Sequence, residues 1–187
     1  MTARAQAFIA DRVAPESWVI DATLGAGRDC LFLARQLGER GRVFAFDIQS
    51  EAIRLGQQRL LQAGLLARVE WIADCHSQIH KHLQGHPIAA AMFNLGYLPG
   101  GDKTITTTPT SSLQALQQCL DLLHPGGGVS IIAYTGHPGG QQEADAVQDW
   151  ANRLPRQDYS LACHQPKGAK AAPLLLCIER KGVRSRF

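Results

Sequence analysis

One short stretch, residues 19–29, constrains the fold of this chain more than any other. It follows the apolar residue Trp18, turns on Gly25 and Gly27, and continues into the mostly apolar residues 30–35. That order predicts a buried strand, a tight turn and the start of a helix. Glycine tolerates the positive φ angles of such a turn and lets a ligand approach the backbone. Because free N–H groups at the start of a helix attract ligands, we expect a nucleotide-like cofactor here.

A second apolar strand, predicted over residues 42–47, ends in the carboxylate Asp47. It lies about 20 residues after the glycine turn, where doubly wound α/β folds place an acid on a ribose. Asp47 could instead cap the helix that we predict from Glu51. The order of strand, turn, helix, strand and acid favours the ribose.

The residues around the turn indicate which cofactor would bind. A dinucleotide-binding turn would have a third glycine at position 30, which is Cys30 in this chain. Two acids, Asp21 and Asp29, flank the turn instead, and they suit a cation better than a pyrophosphate. S-adenosylmethionine carries a sulfonium and an amine but no phosphate. The sequence therefore favours S-adenosylmethionine over NAD.

The rest of the pattern predicts an α/β fold that is Rossmann-like, with a mostly parallel, doubly wound sheet and an antiparallel C-terminal strand pair. We predict a single domain over residues 1–187. Further strands are expected at residues 69–73, 88–93, 129–134, 159–163 and 174–178, and helices at residues 3–13, 29–37, 51–63, 77–83 and 141–153. One more helix should start at Thr108-Pro109.

Three local details add to this scheme. Ser50 is predicted to cap the helix 51–63, and Gly56 within that helix is expected to allow close packing. The glycine-rich residues 124–128 are expected to break the chain before the strand at 129–134.

Polar segments follow the third, fourth and fifth predicted strands, where ligands bind in open α/β sheets. Asp74 could accept the exocyclic amine of an adenine, or it could cap the short helix that follows. Asn94 ends a wholly apolar strand and begins a loop rich in glycine and proline, residues 94–103. A third polar segment, residues 135–140, contains His137.

Composition excludes several classes of protein. The chain has 187 residues, 45% of them hydrophobic, and no apolar run approaches the ~20 residues that span a bilayer. The N-terminus lacks the pattern of a secretion signal, so we expect a cytoplasmic protein without a membrane anchor. The five scattered cysteines do not form a disulfide framework, and the spacing of Cys75, His76, His80 and His82 does not match a metal site. We therefore predict no metal.

The net charge of +3 hides an asymmetry. Residues 1–152 hold 11 Lys and Arg against 14 Asp and Glu, whereas residues 153–187 hold 8 against 2. A basic end on an acidic body fits a polyanionic partner such as RNA. A solvated, frayed tail would show the same composition, and both readings remain open.

With these residues placed, the chain resembles the class I S-adenosylmethionine-dependent methyltransferases, and among them a small bacterial family known as rRNA methylases. The resemblance covers nearly the whole chain. It rests on residues 21–29, on residues 46–49, on the specific run from Phe93 to Lys103, and on residues 136–143 with Glu143. One departure is Ala26, where many relatives are expected to have Asn.

The resemblance implies methylation of the aminomethyl group of 5-aminomethyl-2-thiouridine at the tRNA wobble position. Asn94 would accept a hydrogen bond from the acceptor amine, Tyr97 would stack on the base, and Asp102 or His137 would take the proton. Tyr97 could equally well pack against the loop. Asp102 could instead be a solvated loop residue, and His137 could be a turn residue. The cofactor site would comprise Asp21, Gly25, Ala26, Gly27, Asp29, Asp47, Gln49, Asp74, Cys75 and His76.

Two other functions remain open. One is a methyltransferase that acts on rRNA or on a small amine, and the other is a non-catalytic module that only binds S-adenosylmethionine. The sequence leaves the oligomeric state open as well, with a homodimer among the possibilities.

Overall fold

The computed structural model describes residues 1–98, 100, 105–166 and 172–182. Within these ranges seven strands form one sheet in the order β3-β2-β1-β4-β5-β7-β6. The strands are β1 (Trp18–Asp21), β2 (Arg42–Phe46), β3 (Val69–Ile72), β4 (Ile88–Leu95), β5 (Leu123–Ala133), β6 (Tyr159–His164) and β7 (Leu174–Arg180). The first five run parallel, and β7 is antiparallel to both β5 and β6. The predicted α/β architecture with its antiparallel C-terminal pair is confirmed.

Helices cover both faces of the sheet. They are α1 (Thr2–Ala10), α2 (Arg28–Gln36), α3 (Ser50–Gln62), α4 (Ile79–Leu83), α5 (Pro109–Leu122) and α6 (Gly140–Asn152), with short 3-10 turns at Leu66–Arg68 and His76–Gln78. The buried side chains of α1, α2 and α3 belong to one apolar cluster, and those of α4, α5 and α6 to the other. Strand β4 lies at the centre and is buried on both faces, which explains its uninterrupted apolar sequence.

The structure tests two predicted helix caps. Ser50 is the first residue of α3 rather than its cap; the cap position is Gln49, and no side chain there bonds the helix. The expected cap at Thr108 is confirmed, with a reciprocal pair of hydrogen bonds to Ser111.

The predicted break at residues 124–128 lies inside β5, whose pairing with β4 shifts register there. A Cβ on Gly127 would lie 2.7 Å from the carbonyl oxygen of Ala89. Because Gly127 has no side chain, the irregular stretch of β5 can lie close against β4.

The topology fixes where a ligand can bind. Strands β1 and β4 are neighbours, and the strand order reverses between them, so the loops after their carboxyl ends diverge. The carboxyl ends of β1 to β5 lie along this same edge of the sheet. Among the described residues, no helix has the length and apolar character to cross a membrane.

Candidate active site

The loop between β1 and α2 takes its shape from two glycines. Gly25 has a φ of +50° and Gly27 a φ of +72°, a region that residues with a Cβ rarely adopt. A Cβ on Gly27 would lie 2.8 Å from Cα of Gly56, and a Cβ on Gly56 would lie 2.9 Å from the ring of Trp71. Gly56 therefore serves close packing, as predicted, against the sheet and also against the loop. Ala26, between the two glycines, is partly exposed.

Asp47 links this loop to the end of β2. Its Oδ2 accepts a hydrogen bond of 3.0 Å from the backbone N–H of Gly25, and its Oδ1 accepts one of 2.9 Å from the N–H of Gln49. Burial raises the pKa of Asp47, although these hydrogen bonds act in the opposite direction. The next residue, Ile48, is 58% exposed and presents an apolar side chain beside the carboxylate.

Asp21 is the fully buried acid at the end of β1. Its Oδ1 accepts from the N–H of Thr23, whereas its Oδ2 has no hydrogen-bond partner within the described part of the chain. Burial, together with the nearby charges of Asp29 and Asp47, raises the pKa of Asp21 to about 8. A buried carboxyl group without a partner is costly, so this oxygen is suited to a ligand that donates or carries positive charge.

Asp29 joins three elements of the chain. Its Oδ2 accepts a 2.7 Å hydrogen bond from the side-chain amide of Asn94, and its Oδ1 accepts one of 2.8 Å from the amide of Gln6. The backbone N–H of Asn94 in turn donates to the hydroxyl of Thr23 at 2.7 Å. Both of these partners are distant from Asn94 in sequence.

The residues that follow β3 form hydrogen bonds mainly with one another. Oδ2 of Asp74 lies 2.9 Å from both Nζ of Lys81 and Nε2 of His82, and these contacts hold the pKa of Asp74 well below its usual range. The Sγ of Cys75 accepts from the hydroxyl of Ser77. Asp74 therefore anchors α4 through Lys81 and His82, and an adenine would share the carboxylate with these partners.

His76 is buried beneath the loop after β1. Its Nδ1 lies 3.2 Å from the carbonyl oxygen of Ala22, and its ring packs edge-on against Phe93. Because a carbonyl only accepts, Nδ1 carries the proton. Burial lowers the pKa of His76, so the ring is kept neutral and supports the end of β1.

A buried carboxylate supports the loop after β4. Glu143 accepts hydrogen bonds of 2.6 Å from the hydroxyls of Thr107 and Ser112, and Thr107 accepts in turn from the backbone N–H of Gly96 at 2.9 Å. Residue 96 is thereby tied through Thr107 to α6. We call residues 94–98 with Gly100 the acceptor loop. The remaining residues of the predicted loop, Asp102 among them, lie outside the described residues.

Tyr97 and His137 meet at this loop. Their rings are perpendicular, with centroids 5.7 Å apart. Nδ1 of His137 lies 3.0 Å from the carbonyl oxygen of Pro138, which places the proton on Nδ1 and leaves Nε2 as an acceptor. Nε2 is buried without a hydrogen-bond partner among the described residues. Tyr134, 42% exposed and directly after β5, also lies beside Gly96.

The sequence did not single out Gln6, Thr23, Thr107 or Tyr134 as site residues. Gln6 lies on the predicted N-terminal helix, to which the sequence assigned no role in the site. Thr23 and Thr107 carried no signal beyond their positions beside a glycine turn and a proline. Tyr134 could have been found, because it is an aromatic residue at the carboxyl end of a strand.

Two basic residues of the C-terminal segment contact the body of the protein. Arg180 belongs to β7 and donates to the carbonyl oxygen of Leu123, while Lys181 donates to the carbonyl oxygen of Arg156. These two side chains are therefore engaged with the body of the protein. Arg184 and Arg186 lie outside the described residues, as do Lys167 and Lys170.

The site fits S-adenosylmethionine on the chemistry of its groups. The carboxylates Asp21, Asp29 and Asp47 surround the glycine loop, and Asp21 has an unpartnered oxygen for a cationic group. Asp47 and the exposed face of Ile48 suit a ribose and an adenine ring. In the described ranges, no cluster of three or more His, Cys, Asp or Glu residues could hold a metal ion.

Comparison with known proteins gives consistent matches. A family model described as "Putative rRNA methylase" matches residues 43–179. The chain is 36% identical over 172 residues to the chloroplastic tRNA (mnm(5)s(2)U34)-methyltransferase of Arabidopsis thaliana. This match covers 87% of this chain and 63% of that protein. It is 25% identical over 117 residues to a ubiquinone/menaquinone biosynthesis C-methyltransferase of Xylella fastidiosa, covering 63% of this chain and 42% of that protein. The chain thus spans less than two thirds of the length of these two relatives.

Solved structures match along almost the full length. A "putative rRNA-methylase" from Clostridium thermocellum has a TM-score of 0.92 and 36% identity, covering 96% of both chains. A methyltransferase from Streptococcus mutans, solved in complex with SAH, has a TM-score of 0.87 and 33% identity, covering 96% of this chain and 97% of that one.

Proposed function

Because the chain belongs to the family described as "Putative rRNA methylase", we propose that it is an S-adenosylmethionine-dependent tRNA methyltransferase. Its acceptor is the aminomethyl group of 5-aminomethyl-2-thiouridine at the wobble position. The observation that carries the proposal is the 2.7 Å hydrogen bond between Asn94 and Asp29. It joins the acceptor loop to the first turn of the helix that follows the cofactor loop. The substrate named for the Arabidopsis relative supplies the choice of acceptor.

The cofactor is held by the loop after β1 and the end of β2. Gly25 and Gly27 bring the backbone close to it, and Asp47 is placed to accept from its ribose hydroxyls. The carboxyl of Asp21 is available to its cationic end. When bound, S-adenosylmethionine supplies an electrophilic methyl group on a positively charged sulfur.

The chain's contribution to the reaction is alignment. The lone pair of the acceptor nitrogen forms a bond to the methyl carbon while the carbon–sulfur bond breaks and its electrons stay on sulfur. Such in-line displacement gains from proximity and orientation. Asn94 is positioned to accept an N–H of the amine, and the ring of Tyr97 offers a face for the base. The network from Gly96 through Thr107 to Glu143 keeps the acceptor loop in place.

The methylated nitrogen carries an extra proton that must leave. Nε2 of His137 is an acceptor by virtue of the bond that Nδ1 makes to Pro138, and it lies beside Gly96 and Tyr97. We assign it as the proton acceptor, with Asp102 as the other candidate. A general base contributes ~10²-fold or more, so His137→Gln should lower kcat by about that factor. A smaller loss would leave the role to Asp102.

A wobble base is accessible to such a site. It lies in a single-stranded loop, so presenting it costs less than extruding a base from a duplex. The basic residues of the C-terminal segment are suited to contact phosphates of the tRNA. The sequence-based expectation of a cytoplasmic protein stays part of the proposal, whereas the Arabidopsis relative is chloroplastic.

One assay separates this function from its alternatives. Purified protein and labelled S-adenosylmethionine are incubated in parallel with tRNA that lacks the methyl group, with rRNA and with small amines. The proposal predicts label in tRNA alone. Label in rRNA or in amines would assign a different acceptor, and cofactor binding without label in any substrate would indicate a non-catalytic module.

A further inference from the structure

Asp29 has an unusual position for a residue beside a cofactor loop. Only 6% of it is exposed, and both carboxylate oxygens accept hydrogen bonds from side-chain amides of the protein. Oδ2 receives the amide of Asn94 at 2.7 Å, and Oδ1 receives the amide of Gln6 at 2.8 Å. These bonds connect α2 with β4 and with α1. Much of the hydrogen-bonding capacity of the Asp29 carboxylate is therefore used within the chain.

The bond to Asp29 determines which way the Asn94 amide faces. A primary amide has a donating NH₂ end and an accepting oxygen, whereas an ionised carboxylate only accepts. The NH₂ end of Asn94 must therefore face Asp29, and the oxygen must face away from it. The backbone N–H of Asn94 is held by the hydroxyl of Thr23 at 2.7 Å, which leaves rotation of the side chain as the remaining freedom.

The orientation matters for the chemistry. An amide oxygen directed at the acceptor amine accepts one of its N–H groups and leaves the nitrogen lone pair free. An amide NH₂ in the same place would donate to that lone pair, and the electrons that must form the new N–C bond would be engaged. The wrong orientation of Asn94 would therefore oppose methyl transfer without weakening cofactor binding.

We infer that Asp29 is a positioning residue for methyl transfer: it holds the Asn94 amide with its oxygen toward the acceptor amine, and Gln6 holds Asp29. This inference rests on the proposed function. Gln6 fixes the carboxylate from α1, so that helix contributes to the site as well as to the core. Replacing Gln6 would leave the Asp29–Asn94 bond in place, so we expect a smaller loss of kcat than from replacing Asp29.

An exchange of the two side chains tests the inference. Asn94→Asp alone sets two carboxylates at hydrogen-bond distance without a donor between them. The double variant Asp29→Asn/Asn94→Asp restores a donor and an acceptor in reversed order, and residue 94 still presents an oxygen to the amine. Asn152→Asp, on the exposed end of α6, is the matched control for the change of charge.

The measurements are kcat and KM for tRNA and the Kd for S-adenosylhomocysteine, with a thermal melt of each variant as a check of folding. Asn94→Asp should lower kcat by ~10²-fold, the scale of a lost positioning contact, and the double variant should recover at least about tenfold of that. Asp29→Leu should also lower kcat while the Kd changes less than about threefold. Where Asp29→Leu does not fold, Asp29→Ala, which also lacks an acceptor, gives the same comparison of kcat with Kd.

The outcomes that overturn the inference are distinct. If wild-type protein is active and the folded double variant is no better than Asn94→Asp, Asp29 does not orient Asn94. If the folded Asp29 variants raise the Kd and leave kcat unchanged, Asp29 is a cofactor ligand instead. If wild-type protein transfers no methyl group to any substrate, the proposed function fails first and the inference fails with it.

Discussion

The backbone N–H of Gly25 donates to Oδ2 of Asp47 at 3.0 Å, so the cofactor loop after β1 is bound to the carboxyl end of β2. The acid that the sequence placed on a ribose thus also holds the glycine turn. Its second oxygen accepts from Gln49 at the start of α3. Asp47 therefore supports the turn before α3, which is part of the capping role considered for it, and its role toward a ribose stays a prediction.

Replacing Asp47 should weaken the cofactor complex. Asp47→Ala removes a charged acceptor and releases Gly25, so we expect S-adenosylmethionine to bind about 1.5–3 kcal/mol more weakly, the scale of a lost hydrogen bond to a charged group. Calorimetry on a folded variant measures this. Asp145→Ala, on the exposed face of α6, serves as the control. Equal affinity in the two variants would remove Asp47 from the site.

Gly27 gives a test of the loop geometry with a control in the same chain. Gly27 and Gly64 have similar φ angles, +72° and +69°, but a Cβ on Gly27 would lie 2.8 Å from the backbone of Gly56 whereas one on Gly64 meets nothing within 4 Å. Both alanine variants share the backbone strain, of order 1 kcal/mol, and only Gly27→Ala adds a clash with backbone. Thermal unfolding and binding of S-adenosylhomocysteine should be impaired much more in Gly27→Ala. Equal losses in both variants would contradict the described packing.

Asp21 should make the ligand-free protein less stable as pH rises. Its folded pKa of about 8 lies above the ordinary value of 3.8, so between these values the folded state binds more protons than the unfolded state. The free energy of unfolding therefore falls as pH increases through this window and levels off above about 8. Asp21→Asn removes this contribution while it keeps an oxygen for Thr23.

Thermal melts of wild type and Asp21→Asn at a series of pH values check this sign. The melting temperature of wild type should fall relative to that of the variant between about pH 5 and 8. Parallel curves would show that Asp21 is ionised in the folded protein.

The basic residues of the C-terminal segment include two whose side chains are already bonded within the protein. Arg180 and Lys181 bond to backbone carbonyls, so the test uses Arg184 and Arg186, two other basic residues of the segment. Changing both to Gln should weaken tRNA binding and reduce the slope of log K against log salt by ~1.4, or ~0.7 for each lost phosphate contact on a single strand. Arg35→Gln/Arg40→Gln, near the amino ends of the strands, is the control. An unchanged slope in the Arg184 and Arg186 variant would leave the segment as a solvated tail.

The sequence predicted the features that depend on local pattern. Apolar periodicity located the seven strands, and the acid after β2 and the cap at Thr108 were found from spacing. The contacts that shape the acceptor site were not predictable in this way. Asn94 meets Asp29 across 65 positions of sequence, and Glu143 meets Thr107 across 36. Such pairs depend on how elements pack, which a pattern within one element does not record.

Asn94 is the residue on which the chemistry depends most. Asn94→Ala removes the acceptor for the amine and leaves the cofactor loop intact, so we expect kcat to fall by ~10²-fold with little change in cofactor affinity. The lost bond to Asp29 should cost some stability. Steady-state kinetics and calorimetry on a folded variant measure both quantities. Near-normal turnover would move the acceptor site away from the end of β4, toward His137.

The account as a whole is tested by one measurement. Wild-type protein is incubated with S-adenosylmethionine and tRNA that carries 5-aminomethyl-2-thiouridine, and the digested nucleosides are analysed by mass spectrometry. The account predicts that this nucleoside disappears and that its N-methylated form replaces it, with the methyl group on the aminomethyl nitrogen. If the nucleoside persists while the protein is folded and binds the cofactor, or if the methyl group appears on another nucleoside, the proposed reaction is wrong.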